Sequence, residues 1–548
     1  AELRAAAGAA RGRGGPEEAL AFLRRALAEE RGEEDPALLL EVGLAELAAS
    51  DPEALGHLEA ASRAGSRPEL QGTIHGALAQ GRYLAGNTRG AIEAVSAALD
   101  AIPPGTGGAI EAELLFGFGI AGRPREEVMD DVRRRLTSPR LGPGGETTAA
   151  EVVRRHLLGL DCYLRGDRKR ALVEVTWAAE RMSDPLLADA LPALTGTGPA
   201  FVLAGVDAHA EAEKLIAASL DRARRRGSRL ETAEALHDRV WSRWRRGDLI
   251  GGLADAETIF ALTEGTWDVA KLPLRVAYAY MKVERGELDE ADARLDLPAS
   301  LASSAPGTWG WGWLSLGRAR IALARREWES ALELSLQAGR RLLAIEAPSP
   351  GYCWWRSLAA RAADKLGQRD RALELATEQV ELGRRIGSPR AMGVGLAALG
   401  TLDGVDDGVE ILRDSLGPLE AAGADLERAR ALTGLGIALR RARHARDARE
   451  PLRAALDLSR RLGASPLAKL ALTELSAAGG RPRRERSSGM QSLTPRERQV
   501  AKLAGSGLSN PEIAEQLFVS RKTVEAHLRV VFRKLDVSSR AELQALPL

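Results

Sequence analysis

YLRGDRKRALVEVTWAAE, from Tyr163 to Glu180, carries the pattern that decides the fold. An apolar helix ends at a glycine, and a second, amphipathic helix begins after it. Glycine there permits the left-handed cap that stops a helix. The pattern recurs as YLAGNTRGAIEAVSAAL (Tyr83 to Leu99), WRRGDLIGGLADAETIF (Trp244 to Phe260), VERGELDEADARL (Val283 to Leu295) and KLGQRDRALELATEQV (Lys365 to Val380). Turn positions fall at Gly12, Ser50, Gly86, Gly122, Gly166, Gly205, Gly247, Gly286, Arg326, Gly367, Gly404 and Arg443. Their mean spacing is about 39 residues, in the range of stacked supersecondary units. In one second helix Ala372, Leu375, Ala376 and Gln379 share a face. Small residues in such a stripe let helices approach closely. A single hairpin cannot bury its stripe, so neighbours must stack. Apolar runs such as AFVLAGV lack the alternation and β-branched enrichment of strands. The fold class expected is all-α: an array of about twelve helical hairpins over residues 1–476.

Composition agrees. In 548 residues, 45% are hydrophobic and 28% charged, the balance of a folded soluble chain. Net charge is only +1, so any nucleic-acid site must be local. The two cysteines, Cys162 and Cys353, build neither a disulfide framework nor a zinc site. They are expected to be small buried hydrophobes. The N-terminal residues lack the apolar core of a signal peptide, and Gly198 to Val206 falls short of the ~20 residues of a membrane helix. A cytoplasmic location is expected. A start without Met reads as the later part of a longer chain.

Catalytic signatures are missing. The seven histidines are scattered, with no H-E-x-x-H, G-x-S-x-G or paired C-x-x-C. IPPGTGG (Ile102 to Gly108) resembles a phosphate loop, but Gly108 stands where lysine is required. It reads as a linker between hairpins. No enzyme, cofactor or metal site is expected. Six of ten tryptophans lie between 309 and 355: Trp309, Trp311, Trp313, Trp328, Trp354 and Trp355. Inter-helix packing is the reading favoured over an aromatic groove for an apolar ligand or partner.

The pattern changes at AAGGRPRRERSSGMQS (Ala477 to Ser492), a linker assigned to 477–490. Residues 481–548 carry 13 Lys+Arg and 7 Asp+Glu, leaving residues 1–480 with 64 and 69. A small basic unit on an acidic array is the electrostatic footprint of a DNA module. Within 491–548 four helices are expected. Thr494 and Glu497, then Ser509 and Glu512, form capping boxes for the first two. The third starts after Ser520 and turns Val524, Leu528, Val531 and Leu535 inward. Its outer side carries Lys522, Glu525, Ala526, Arg529 and Arg533. The fourth is expected from about Ser539 to Leu546. Two helices around a short turn, over 510–529, make a helix-turn-helix whose second member lies in the major groove.

These residues closely resemble the LuxR-type DNA-binding domain of bacterial transcription regulators. The signature positions are the Leu493-Thr494-Pro495-Arg496-Glu497 opening, Gly507 to Asn510, Glu512 to Ala514, Val519-Ser520, Lys522 to Val524, His527, Lys534-Leu535 and Ser539-Arg540. The array resembles a tetratricopeptide-type superhelix, best in WLSLGRARIALARREWESALEL (Trp313 to Leu334) and in Leu432 to Leu456. Together they look like the large ATP-dependent LuxR branch, without its N-terminal ATPase. The resemblance implies a DNA-contacting set of Ser520, Arg521, Lys522, Thr523, Glu525, Ala526, Arg529 and Arg533. Lys522 and Thr523 are expected at phosphates, and 525, 526 and 529 at base edges. Glu525 is either a cytosine reader or a neutralising neighbour of Arg521 and Arg529. Arg529 is a guanine contact or a phosphate clamp. His527 is expected to pack against the second helix. The fourth helix, 539–546, is the implied homodimer interface on double-stranded promoter DNA. The array is expected to sense a small-molecule or protein effector. The rival reading is a protein–protein scaffold that the module merely localises to DNA.

Overall fold

The computed structural model describes the chain except residues 1, 13–15, 31–34, 50, 66, 86, 103, 107, 123–128, 143, 183, 185–186, 188–190, 192–197, 264–271, 298–309, 403–404, 406, 482–492, 494, 518, 520, 536, 545 and 547–548. Among the described residues every regular element is a helix. Three expected turns (Ser50, Gly86 and Gly404) lie outside these residues, as does Trp309. The other nine turns end a helix or join two.

The sequence explains the joints. At Gly166 the backbone is left-handed, φ 92°. The Asp167 N–H then reaches back to the Cys162 carbonyl at 2.8 Å. The Asp167 side chain accepts from the Arg170 N–H at 3.1 Å and so starts the next helix. Gly247 and Asp248 repeat the device, with the Asp248 side chain accepting from Gly251 at 3.0 Å. Each such cap contributes about 1 kcal/mol. Arg326 and Arg443 take the same left-handed turn without being glycine, at φ 63° and 65°. Ile102 to Gly108 joins two helices, and the Gly105 N–H donates to buried Glu111 at 3.0 Å.

The hairpins wind into a superhelix whose successive turns touch. Arg133 pairs with Glu346, and the Ser349 N–H donates to the Leu164 carbonyl at 3.0 Å. The strongest seam is polar. Asp207 accepts from Arg245 at 3.2 Å and from Arg390 at 3.0 Å. Arg245 also donates to the Gly205 and Gly351 carbonyls, and Arg390 to that of Ala422. Both guanidinium side chains are fully buried. Burial pushes the Asp207 carboxyl up, but Arg390 and Arg245 outweigh it and hold it below its usual range. Beside this seam lies an aromatic core. Trp313 Nε1 donates to the Tyr352 hydroxyl at 2.5 Å, and Trp241, Trp244 and Phe201 close around it. Cys162 and Cys353 are buried free thiols, raised by burial to about 11 and about 12.

The helix Ser465–Ala477 is the last of the array, and helices resume at Pro495. There Pro495–Gly505, Asn510–Leu517, Arg521–Leu535 and Arg540–Gln544 enclose their own core around Val500, Ile513, Leu517, Val524, Leu528, Val531 and Leu543. Among the described residues no helix is long and apolar enough to cross a membrane.

Candidate nucleic-acid interface

Local chemistry builds the helix-turn-helix. The left-handed turn at Gly507, φ 94°, lets the chain leave the first helix. Ser509 and Glu512 then form a reciprocal cap. The Ser509 N–H donates to Glu512 at 2.7 Å, and the Glu512 N–H to the Ser509 hydroxyl at 3.4 Å. The Ser509 hydroxyl also donates to the Glu512 carboxyl at 2.7 Å, and this bond, then the one from the Ser509 N–H, holds that carboxyl below its usual range. Thr494 lies outside the described residues, and its expected partner Glu497 accepts from Lys534 Nζ at 2.6 Å. Asn510 Oδ1 accepts from Arg540 at 2.8 Å, tying the second helix to the fourth. Arg496 is buried and donates to the Leu517 carbonyl at 2.9 Å. Several signature residues therefore hold the bundle together. The sequence motif alone gave no means of separating these staples from residues free to meet a ligand.

The helix Arg521–Leu535 divides as its spacing predicts. Val524, Leu528 and Val531 are buried, and Leu535 is half-buried. Arg521, Lys522, Ala526, Arg529 and Arg533 are exposed in the whole chain, so the superhelix does not cover them. Thr523 and Glu525 are half-buried at the edge of that face, and Ser520 lies outside the described residues. Arg521 donates to Glu525 at 2.9 Å, one turn on. This is the neutralising arrangement of the two weighed for Glu525; such an exposed pair is worth less than about 1 kcal/mol and can open. Among the described residues Lys522, Arg529 and Arg533 make no ion pair or hydrogen bond. The result is a convex ridge carrying four cations and a small residue, Ala526, which allows close approach.

One expectation changes. The fourth helix is Arg540–Gln544, shorter than 539–546. Ser539 is its cap, since the Ser539 hydroxyl accepts from the Glu542 N–H at 3.2 Å, and Leu543 is drawn into the bundle core. His527 is half-buried, and the charged groups near it, Arg496 and Glu497, are on the first helix. Burial and Arg496 lower its imidazole below the usual range, so it is a neutral packing group.

The bundle meets the superhelix through its first two helices. Arg224 donates to the Gln516 carbonyl at 3.4 Å. Burial, then the nearby Arg243, push the Arg496 guanidinium down to about 10, with Asp255 opposing.

The ridge and its capped partner helix define the class: a helix-turn-helix DNA-binding domain. Comparison with known proteins makes it specific. The family model for bacterial regulatory proteins of the luxR family matches residues 491–546. These C-terminal residues are a LuxR-type helix-turn-helix domain. A putative HTH-type transcriptional regulator of Mycobacterium tuberculosis is 50% identical over 68 residues, 12% of this chain and 8% of that protein. A nitrate/nitrite response regulator homolog of Haemophilus influenzae is 47% identical over 57 residues, 10% of this chain and 27% of that protein. The transcriptional regulatory protein LiaR of Bacillus subtilis is 44% identical over 52 residues, 10% of this chain and 25% of that protein. The matched segment thus spans less than a tenth of the mycobacterial relative. Among solved structures, the APC/C assembly Cut9–Hcn1 gives a TM-score of 0.47 at 14% identity, over 86% of this chain and 96% of that one. A Rap protein complexed with competence and sporulation factor gives 0.40 at 11% identity, over 60% and 98%.

Proposed function

We propose that the chain is a transcriptional regulator that binds promoter DNA through the ridge of Arg521–Leu535. The observation that carries this is the exposure of Arg521, Lys522, Arg529 and Arg533 along one side of a helix whose other side is core. Laid in a major groove, Glu525, Ala526 and Arg529 face base edges. Lys522 and Thr523 at the helix entry, Ser520 and Arg521 before them, and Arg533 a turn beyond Arg529 face phosphates. When the groove takes Arg521, Glu525 is freed to accept from a cytosine amine. A single ridge neutralises few phosphates, so two copies act together on an inverted repeat. The region 539–546, with Ala541 and Gln544 exposed, is the surface offered for that pairing. Residues 1–476 form the sensing unit, 477–490 the linker and 491–548 the DNA-binding unit, at work in the cytoplasm.

The test is a gel shift of the full chain with genomic fragments at low salt. Retardation of a subset of fragments is expected; no retardation of any fragment removes the reading. Arg529→Ala should then weaken binding by about 1–3 kcal/mol and relax the preference at one base pair of each half-site. Uniform weakening across sequences would make Arg529 a phosphate contact.

A further inference from the structure

The superhelix holds a cavity of about 400 Å³, within the range of small-molecule sites. Seven successive first helices contribute to it: Arg229–Arg246, Leu272–Arg285, Gly310–Arg325, Trp355–Lys365, Pro389–Gly400, Asp425–Arg441 and Ser465–Ala477. One wall is aromatic, made by Trp244, Tyr280, Trp328 and Trp354. The favoured packing reading of the tryptophan-rich stretch is therefore incomplete. Trp313 is core, whereas Trp328 and Trp354 also line this space.

The charges around the cavity are almost all committed. Glu284 accepts from both Arg320 and Arg430 and is held at about 2, since those cations outweigh its burial. Glu427 pairs with Arg390 at 3.3 Å, and Asp364 with Lys365 at 2.7 Å. Arg361 is the exception. Its side chain opens into the cavity and makes no hydrogen bond or ion pair among the described residues. The Arg361 side chain is open to solvent on one side; partial burial on the other, then Arg320 and Arg430, push the guanidinium down to about 10, so it remains charged at neutral pH. One turn earlier on the same face is Ser357, which also lines the cavity. Its buried hydroxyl has no partner among the described residues. A spare cation and a spare hydroxyl beside an aromatic wall call for a ligand with an anionic head and a flat apolar body.

We propose that this cavity binds a small organic anion, a carboxylate or phosphate ester on an aromatic or apolar body, with Arg361 and Ser357 holding the head and Trp244, Trp328 and Trp354 the body. The proposal rests on the reading of the array as the sensing part of the regulator, and it names the chemistry sensed. The cavity spans seven consecutive first helices, so a ligand bound across it would oppose changes in superhelical pitch.

The experiment is calorimetric titration of the full chain, without DNA, using 1-naphthylacetate, 1-naphthyl phosphate and the neutral 1-naphthylacetamide. At least one anion should bind saturably and about tenfold or more tighter than the amide. The tighter anion assigns the head as carboxylate or phosphate; equal affinity leaves charge as the criterion. Arg361→Ala should lower the anion's affinity about tenfold or more and leave the amide unchanged, while Arg361→Lys keeps most of the preference. Arg361 makes no hydrogen bond or ion pair among the described residues, so the thermal melt of Arg361→Ala should be unaltered; Ser357→Ala, with a weaker loss for the anion alone, is the second variant. No saturable binding, equal affinity for anion and amide, or an Arg361→Ala chain that still prefers the anion would each overturn the proposal. Failure here with DNA binding intact removes only the ligand assignment. Anion binding by a chain that retards no DNA removes the regulator reading instead.

Discussion

Arginine does opposite work in the two parts of this molecule. In the superhelix Arg245 and Arg390 are fully buried and share one carboxylate, Asp207, between two superhelical turns. In the C-terminal bundle Lys522, Arg529 and Arg533 stand on a ridge with no protein partner among the described residues. The superhelix holds far more cations in total. The difference teaches that a count of positive charge locates nothing. A cation already paired with a carboxylate has little to offer a phosphate, and a buried one cannot reach it. What marks the bundle as the nucleic-acid face is the combination of exposure, lack of partners and alignment along one helix.

The comparison can be broken most forcefully at the seam. Asp207→Asn keeps the shape and tolerates the left-handed backbone at φ 65°. It leaves Arg245 without a carboxylate and Arg390 with Glu427 alone. The expected loss is about 3–5 kcal/mol in denaturant unfolding followed by circular dichroism. DNA affinity per folded molecule should not change. An unaltered unfolding midpoint would mean that the two arginines do not depend on Asp207.

Acid should act on the superhelix next. His156 is buried and held at about 4 by that burial, well below the usual 6.5. Its protonation therefore favours the unfolded chain. Stability from this group is complete above pH 6.5 and is lost as the pH falls towards 4. Relative to a His156→Leu chain, the natural one should lose up to about 3 kcal/mol across that window. Parallel profiles for the two chains would show His156 to be solvated.

The smallest effect is expected on the ridge. Arg533→Ala should leave stability within about 0.5 kcal/mol, because the side chain holds nothing. It should weaken DNA binding severalfold on all sequences and reduce the salt slope by about one. A large loss of stability would place Arg533 with the buried arginines and blur the contrast.

Much of this was legible along the chain. Hairpin period and glycine turns were readable because helix caps are local. The Gly166–Asp167 joint involves only residues within five positions of one another. The inward stripe of Arg521–Leu535 was readable because a 3.6-residue period sorts side chains to two faces. The length of the fourth helix was not. Ser539 is its cap rather than its first residue, and adjacent Ser538 also bonds Glu542, so two neighbouring serines compete for the helix start. Nor was the role of the signature residues readable, since Glu497–Lys534 and Asn510–Arg540 pair across 37 and 30 positions.

The sequence alone therefore determined the helical repeat, the separate basic module and the face it turns outward, all properties of neighbours within a turn or two of helix. Only the tertiary structure decided which arginines are spent inside the molecule, where two turns of the superhelix lock through Asp207, and that Arg361 and Ser357 share a cavity with three tryptophans. Those outcomes depend on residues far apart in the chain, 183 positions for Asp207 and Arg390. No short-range pattern encodes the winding that brings them together.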